Sequence, residues 1–247
     1  VHFLGNLLYL QLDIHKMGVM KLLELALFLN LISSPDHLGG GFRVWSSSSE
    51  VMPQLFPPTC KRIECPVYDM IERGNGYEIR RYNSPVWIST SPIQDISLVQ
   101  ATRSGFLKLF DYIQGKNDYN KKIEMTAPVI TEVTPSDGPL CQSSFVVSFY
   151  VPKENQADPP PAKDLHIQRW DTTYVAVRQF GGFVSDYEVA EEASQLQADL
   201  AGSKWAAAVQ KGSGSNYIVA QYNSPFEFKD RVNEIWMRFD KKDVADE

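Results

Sequence analysis

The chain predicts an α+β fold, a distorted antiparallel β-barrel or strongly curved sheet with two helices, built from two pseudo-symmetric repeats. Three observations predict it. Tyr77-Glu-Ile-Arg-Arg-Tyr82 is answered by Leu165-His-Ile-Gln-Arg-Trp170, an offset of 88 residues, and a second alternating run follows each, at 86–90 and 174–178. Each copy then changes its hydrophobic period from 2 to 3.6 residues, the mark of one amphipathic helix per copy. Further alternating runs close each copy. Two strand–strand–helix–strand units of this kind pair into one sheet-rich body, and a cleft tends to form at their joint.

The elements follow in order. Val67-Tyr-Asp-Met-Ile-Glu-Arg73 and the run 77–82 alternate around Gly74-Asn-Gly76, which reads as a hairpin. The run 86–90 continues the sheet. Ile96, Val99, Phe106, Phe110 and Ile113 recur on one helical face, with Gly115 as the stop. Runs 125–133 and 145–151 return to strand patterns, and Asp158-Pro-Pro-Pro161 marks the seam between repeats. Ser185-Asp-Tyr-Glu188 is a capping box. It opens a helix with Val189, Ala193, Leu196 and Leu200 turned inward and Gly202 at its end. Runs 217–222 and 234–239 complete the set. The folded domain is expected over 66–240, with repeats at about 66–157 and 162–240 and a charged tail at 241–247.

Ahead of the domain the pattern differs. From Met17, Lys21 precedes the apolar run Leu22-Leu-Glu-Leu-Ala-Leu-Phe-Leu-Asn-Leu-Ile32 and then Ser33-Ser-Pro35. A positive start before an apolar stretch too short to span a bilayer is the pattern of a secretory signal. Residues 1–34 are expected to be a leader, which predicts a secretory or extracellular chain with no membrane span once mature. Without a working signal the chain is cytoplasmic. Residues 35–65 read as a linker and N-terminal arm.

Composition narrows the function classes. An apolar fraction of 43% supports a real core, and a net charge of −6 without a basic block speaks against a nucleic-acid surface. The three cysteines, Cys60, Cys65 and Cys141, permit one bridge and one spare thiol. Pairing of Cys141 with Cys60 or Cys65 closes a long loop, which the chain-entropy model favours over a local bridge, so that pairing is expected. The Cys60–Cys65 spacing fits no zinc pattern, and His166 is the single histidine after residue 40, so no structural metal is expected. There is no Gly-x-Ser-x-Gly elbow, no His-Glu-x-x-His and no phosphate-binding glycine loop. The sequence predicts no enzyme.

One position breaks a pattern. The first helix's stripe runs 96, 99, 103, 106, 110, 113, and its third member is Arg103. Its stem can pack at the helix edge with the head in water. Alternatively its guanidinium stands at the mouth of an apolar cleft, where its fork suits a carboxylate on a flat ligand.

Gly76-Tyr-Glu-Ile-Arg-Arg-Tyr82, Phe110-Asp-Tyr-Ile-Gln-Gly-Lys-Asn117 and Lys122-Ile-Glu-Met-Thr-Ala-Pro-Val129 resemble the SOUL/haem-binding protein family. So do Phe180-Gly-Gly-Phe183, Tyr222-Asn-Ser-Pro225 and Asn233-Glu-Ile-Trp236, which extends the resemblance over roughly 66–239. The Cys60-Lys-Arg-Ile-Glu-Cys65-Pro66 lead-in and the leader resemble plant members with a signal peptide. The resemblance implies a distorted barrel with two helices and reversible, non-catalytic binding of haem or a related tetrapyrrole. By the same resemblance Arg103 matches an arginine linked to the haem propionates, and Phe106 and Phe110 match positions lining the apolar pocket; Leu107 beside them and Met125 near the helix end, which also reads as core, complete the candidate set. Two positions depart from the pattern. Asp111 stands where a member has lysine, and Arg81 stands where another has an axial histidine. Arginine stays protonated and cannot ligate iron. The resemblance therefore implies a haem or porphyrin site without a strong axial ligand, serving a carrier or buffer. The alternative is a protein-interaction or effector-binding module on the same scaffold that no longer binds haem.

Overall fold

Alternating apolar and polar residues set the strands, and the structure, a computed structural model, describes residues 56–136 and 141–244. The leader and most of the linker lie outside the described residues. The strands are β1 (Tyr68–Arg73), β2 (Glu78–Tyr82), β3 (Val86–Thr90), β4 (Ile93–Asp95), β5 (Val129–Thr134) and β6 (Ser143–Tyr150). They continue with β7 (Leu165–Arg169), β8 (Thr173–Phe180), β9 (Tyr217–Gln221) and β10 (Asn233–Phe239). The helices are α1 (Leu98–Ile113), α2 (Asp186–Leu200) and α3 (Ala206–Ser213). The fold is mixed α+β with an antiparallel sheet, as the sequence predicts.

The strand order is β1-β2-β8-β10-β9-β5-β6-β3-β7, with β4 attached to β6. From β2 to β7 this order reads the same in both directions once β2, β3, β5 and β6 are exchanged for β7, β8, β9 and β10. The sheet is curled. Trp87 of β3 and Trp236 of β10 belong to strands four places apart, roughly 19 Å in a flat sheet. Their rings nevertheless lie 6.4 Å apart.

The two faces of the sheet carry different cores. Along β10, Ile235, Met237 and Phe239 face the helices and join Val189, Ala193, Leu196 and Leu200 of α2 with Leu98 and Ala101 of α1. Trp236 faces the hollow of the curl, with Tyr68, Tyr82, Trp87, Tyr150, Trp170 and Tyr222. The period of two along one strand thus feeds two cores, one largely aliphatic and one aromatic.

Three expectations are corrected. The strand expected from residue 125 begins at Val129. A third helix, α3, adds to the two expected; its Gly212 lies so close to β10 that an added Cβ would be 2.6 Å from the Arg238 carbonyl oxygen. The disulfide is local. Cys60 and Cys65 are bridged with Cα atoms 5.5 Å apart, and Cys141 is an exposed free thiol. The 3₁₀ turn Pro58–Lys61 folds the chain back, with Ile63 N donating to Thr59 O at 3.1 Å. That turn brings the two sulfurs together and outweighs the loop-length argument.

Candidate functional site

The first helix has two apolar faces. Ser97 caps α1, its Oγ accepting from Gln100 N at 3.2 Å. Asp186, in the first turn of α2, accepts from the Ser97 hydroxyl at 2.8 Å and from Val99 N at 3.2 Å. One carboxylate thus satisfies orphan donors at the start of the neighbouring helix. The face turned to the sheet is Leu98, Ala101, Gly105, Leu109 and Tyr112, all buried. Gly105 sets its closeness, because a Cβ there would stand 2.4 Å from Val147 Cγ2 on β6. The stripe expected from the sequence is split, with Phe110 and Ile113 at its end buried and its first half turned outward. Ile96 precedes the helix and is 75% exposed, and Val99 is exposed too. Arg103 lies about 160° round the helix from Gly105 at 100° per residue.

This second face gathers four of the expected residues. Arg103, Phe106 and Leu107 are half-buried, and Phe110 is buried. The Phe106 and Phe110 rings stack at 5.9 Å with 14° between planes, and Phe106 meets Phe149 of β6 edge-on at 5.3 Å. The segment after the helix folds back over its end, with Ile123 N donating to Ile113 O at 2.9 Å. Half-buried Met125 sits in that segment. Between Tyr112, Ile113, Ile123 and Phe149 is a crevice of about 10 Å³, room for a single water. A second depression, about 50 Å³, lies between Glu132, Trp236 and Arg238. Ligand pockets run to several hundred Å³. The described residues therefore offer a half-buried helix face here, where an apolar cleft was expected.

The other expected residues stand apart. Arg81 is on β2, held across the hairpin by Asp69, which accepts from its Nε at 3.0 Å and Nη2 at 2.7 Å. The hydrogen bonds to Asp69 hold its guanidinium above the usual arginine range. β2 pairs with β1 and β8, whereas α1 packs on β3, β4, β5 and β6. Asp111 accepts from Lys116 Nζ at 2.9 Å. His166 is exposed on the edge strand β7 and shares a 3.0 Å hydrogen bond with the Ser91 hydroxyl.

Sequence reasoning missed a polar group in the hollow of the curl. Arg80 and Glu234 are fully buried and doubly hydrogen-bonded, at 3.0 and 2.8 Å. Tyr222 OH and Trp236 Nε1 also donate to Glu234, at 2.9 and 2.7 Å, and Arg80 lies over the Tyr68 ring at 4.4 Å. Burial opposes the charge on Arg80 most strongly, but Glu234 together with Tyr82, Tyr222 and Tyr68 outweighs it and holds the guanidinium protonated. Burial pushes the Tyr68 hydroxyl up to about 12. The signal was present as a charge, Glu234, between Asn233 and the apolar run Ile235-Trp-Met237.

Among the described residues no helix is long and apolar enough to cross a membrane. Residues 63–238 match the family model described as SOUL heme-binding protein. The chain is 40% identical over 167 residues to heme-binding protein 2 of Homo sapiens, covering 65% of this chain and 77% of that protein. It is 36% identical over 174 residues to heme-binding protein 2 of Mus musculus, covering 68% and 80%. Among solved structures, the EcmrR C-terminal domain is similar with a TM-score of 0.42 at 11% identity, covering 71% of this chain and 99% of that one.

Proposed function

The chain belongs to the SOUL haem-binding family, and from that premise we propose that the outer face of α1 is its tetrapyrrole site. The protein is then a non-catalytic carrier or buffer that holds haem or a porphyrin reversibly. The observation that carries this reading is the stacked Phe106–Phe110 pair beside Arg103, on a helix face where Phe110 reaches the core while Arg103, Phe106 and Leu107 stay half-buried. The macrocycle supplies flat apolar surfaces and anionic propionates. Phe106, Leu107, Phe110 and Met125 offer apolar contact to the first, and Arg103 offers a fork of donors to the second. Arg103, Phe106, Leu107 and Phe110 cannot ligate iron and Met125 is read as an apolar contact, so in this reading affinity rests on burial and one charge contact. The Cys60–Cys65 bridge favours the reading of a secreted chain, because disulfides persist in oxidising compartments.

Absorbance titration of the full chain with haem and with iron-free protoporphyrin tests this. Saturable Soret changes of similar affinity for both ligands are expected. Much weaker binding of protoporphyrin refutes the version without an axial ligand. No saturable change with either refutes the site and favours the protein-interaction module, which the placement of Arg81 and Asp111 already motivates.

A further inference from the structure

The two ends of the sheet differ. Its strand order begins with β1 and closes with β7. A terminal strand presents a row of unpaired backbone groups, and proteins blunt such edges with bulges and charges. β1 is blunted in both ways. Its register with β2 shifts between Met70 and Glu72, a bulge that leaves Ile71 out of the pairing, and Asp69, Glu72 and Arg73 put charges along it. β7 keeps one unbroken register with β3, from Val86 opposite Arg169 to Thr90 opposite Leu165, and contains neither proline nor glycine.

Hydrogen bonding fixes which groups of β7 are open. Trp170 N donates to Pro85 O at 3.1 Å. Bonding alternates along an antiparallel pair, so Gln168 and His166 also bond β3, and the backbone of Leu165, Ile167 and Arg169 points off the sheet. The Leu165 amide turns back to Ala162 O at 3.4 Å. Among the described residues nothing bonds the amides or carbonyls of Ile167 and Arg169 on that side. The side chains of Leu165 and Ile167 are half-buried, so the edge is partly apolar as well as open.

We propose that β7 is a docking edge for a second copy of this chain, paired antiparallel about Ile167. The strand is complementary to itself in this register. With Ile167 opposite Ile167, Leu165 of each copy stands opposite Arg169 of the other, and the residues that point off the sheet all meet in hydrogen-bonded positions. The two Ile167 residues exchange amide–carbonyl bonds, and each Arg169 amide donates to the other copy's Leu165 carbonyl. The same register sets Gln168 opposite His166. It also brings exposed Lys163 to the end where the other copy has exposed Asp171. No like charges stand opposite one another, as cross-strand pairing favours. The contact is isologous and closes after two copies, joining both sheets across the axis. The proposal does not rest on the α1 site.

Sedimentation velocity of the full chain tests it, with Cys141→Ser throughout so that the exposed thiol cannot link copies. Edge pairing is a small interface, so a reversible monomer–dimer equilibrium is expected at about 10–500 µM chain. Ile167→Pro removes an amide that the single chain leaves unbonded, and an edge strand tolerates proline at such a position. It should weaken the dimer about tenfold or more while the circular dichroism stays parental. Asp171→Lys sets two lysines together and should weaken the dimer several-fold. Lys163→Asp/Asp171→Lys exchanges the charges and should restore parental association. These exposed charges give an answer even if Ile167→Pro folds poorly. A chain that is monomeric throughout the range overturns the proposal. So does a dimer unchanged by Ile167→Pro or Asp171→Lys, because its contact then lies elsewhere, and so does a charge exchange that restores nothing.

Discussion

α1 and α2 are nearly the same length, 16 and 15 residues, and both open on a serine cap and pack on one side of one sheet. They differ in what remains after packing. α2 buries Val189, Ala193, Leu196 and Leu200 and leaves an outer face of Glu191, Ser194, Gln195 and Gln197 in solvent. α1 meets the sheet with Leu98, Ala101, Gly105, Leu109 and Tyr112, and still carries Phe106, Leu107 and Phe110 around Arg103 on its other side. The first pattern is that of a helix with a packing role alone. The second keeps apolar surface, Phe106 and Leu107, only half covered by the core, which is why the ligand site is placed there.

Substitutions can break this comparison. Leu196→Ala, in the stripe of α2, removes a fully buried side chain and should lower stability by about 2–5 kcal/mol in urea unfolding. Leu107→Ala, on the outer face of α1, should cost well under that. If both cost the same, the second face of α1 belongs to the core. Gly105→Ala places a methyl against Val147 and should destabilise by about 1–3 kcal/mol, although alanine is the better helix former. A neutral or stabilising result would show that α1 does not approach β6 so closely. Ser185→Ala removes the cap of α2 and should cost about 1 kcal/mol.

The pH dependence sharpens the same contrast. Burial pushes Tyr112, on the core face of α1, up to about 12 from an ordinary value near 10. The proton is bound more tightly in the folded chain. Stability from this group is therefore complete below pH 10 and lost as pH rises towards 12. Tyr68 follows the same course in the hollow. Alkaline unfolding followed by circular dichroism should begin near pH 10, and Tyr112→Phe should shallow the fall. A parental pH profile in Tyr112→Phe would show that this hydroxyl is not buried.

The strands and their alternation were legible in the sequence, because a period of two survives wherever one sheet face meets helices and the other meets aromatics. The α2 stripe was legible for the same reason. The α1 core face was not, since Ala101 and Gly105 carry little hydrophobic weight while Phe106 and Phe110 carry much. Close packing selects small residues at the contact, so the larger signal lay on the wrong side. The candidate site was legible as a set of residues, Arg103, Phe106, Leu107 and Phe110, but its orientation was not. The disulfide was misread because loop-length reasoning ignores a local turn that has already brought Cys60 to Cys65. Strand partners β2 and β8, about a hundred residues apart in the chain, leave no local trace at all.

The central claim is that the outer face of α1 holds the ligand through Arg103. Soret titration with haem of the parent chain and of Arg103→Ala, with thermal midpoints measured alongside, tests it most directly. Loss of one charge-assisted contact of about 1–3 kcal/mol predicts affinity lowered about 5- to 150-fold, with a midpoint shift far smaller than that of Leu196→Ala. Parental affinity in Arg103→Ala would contradict it.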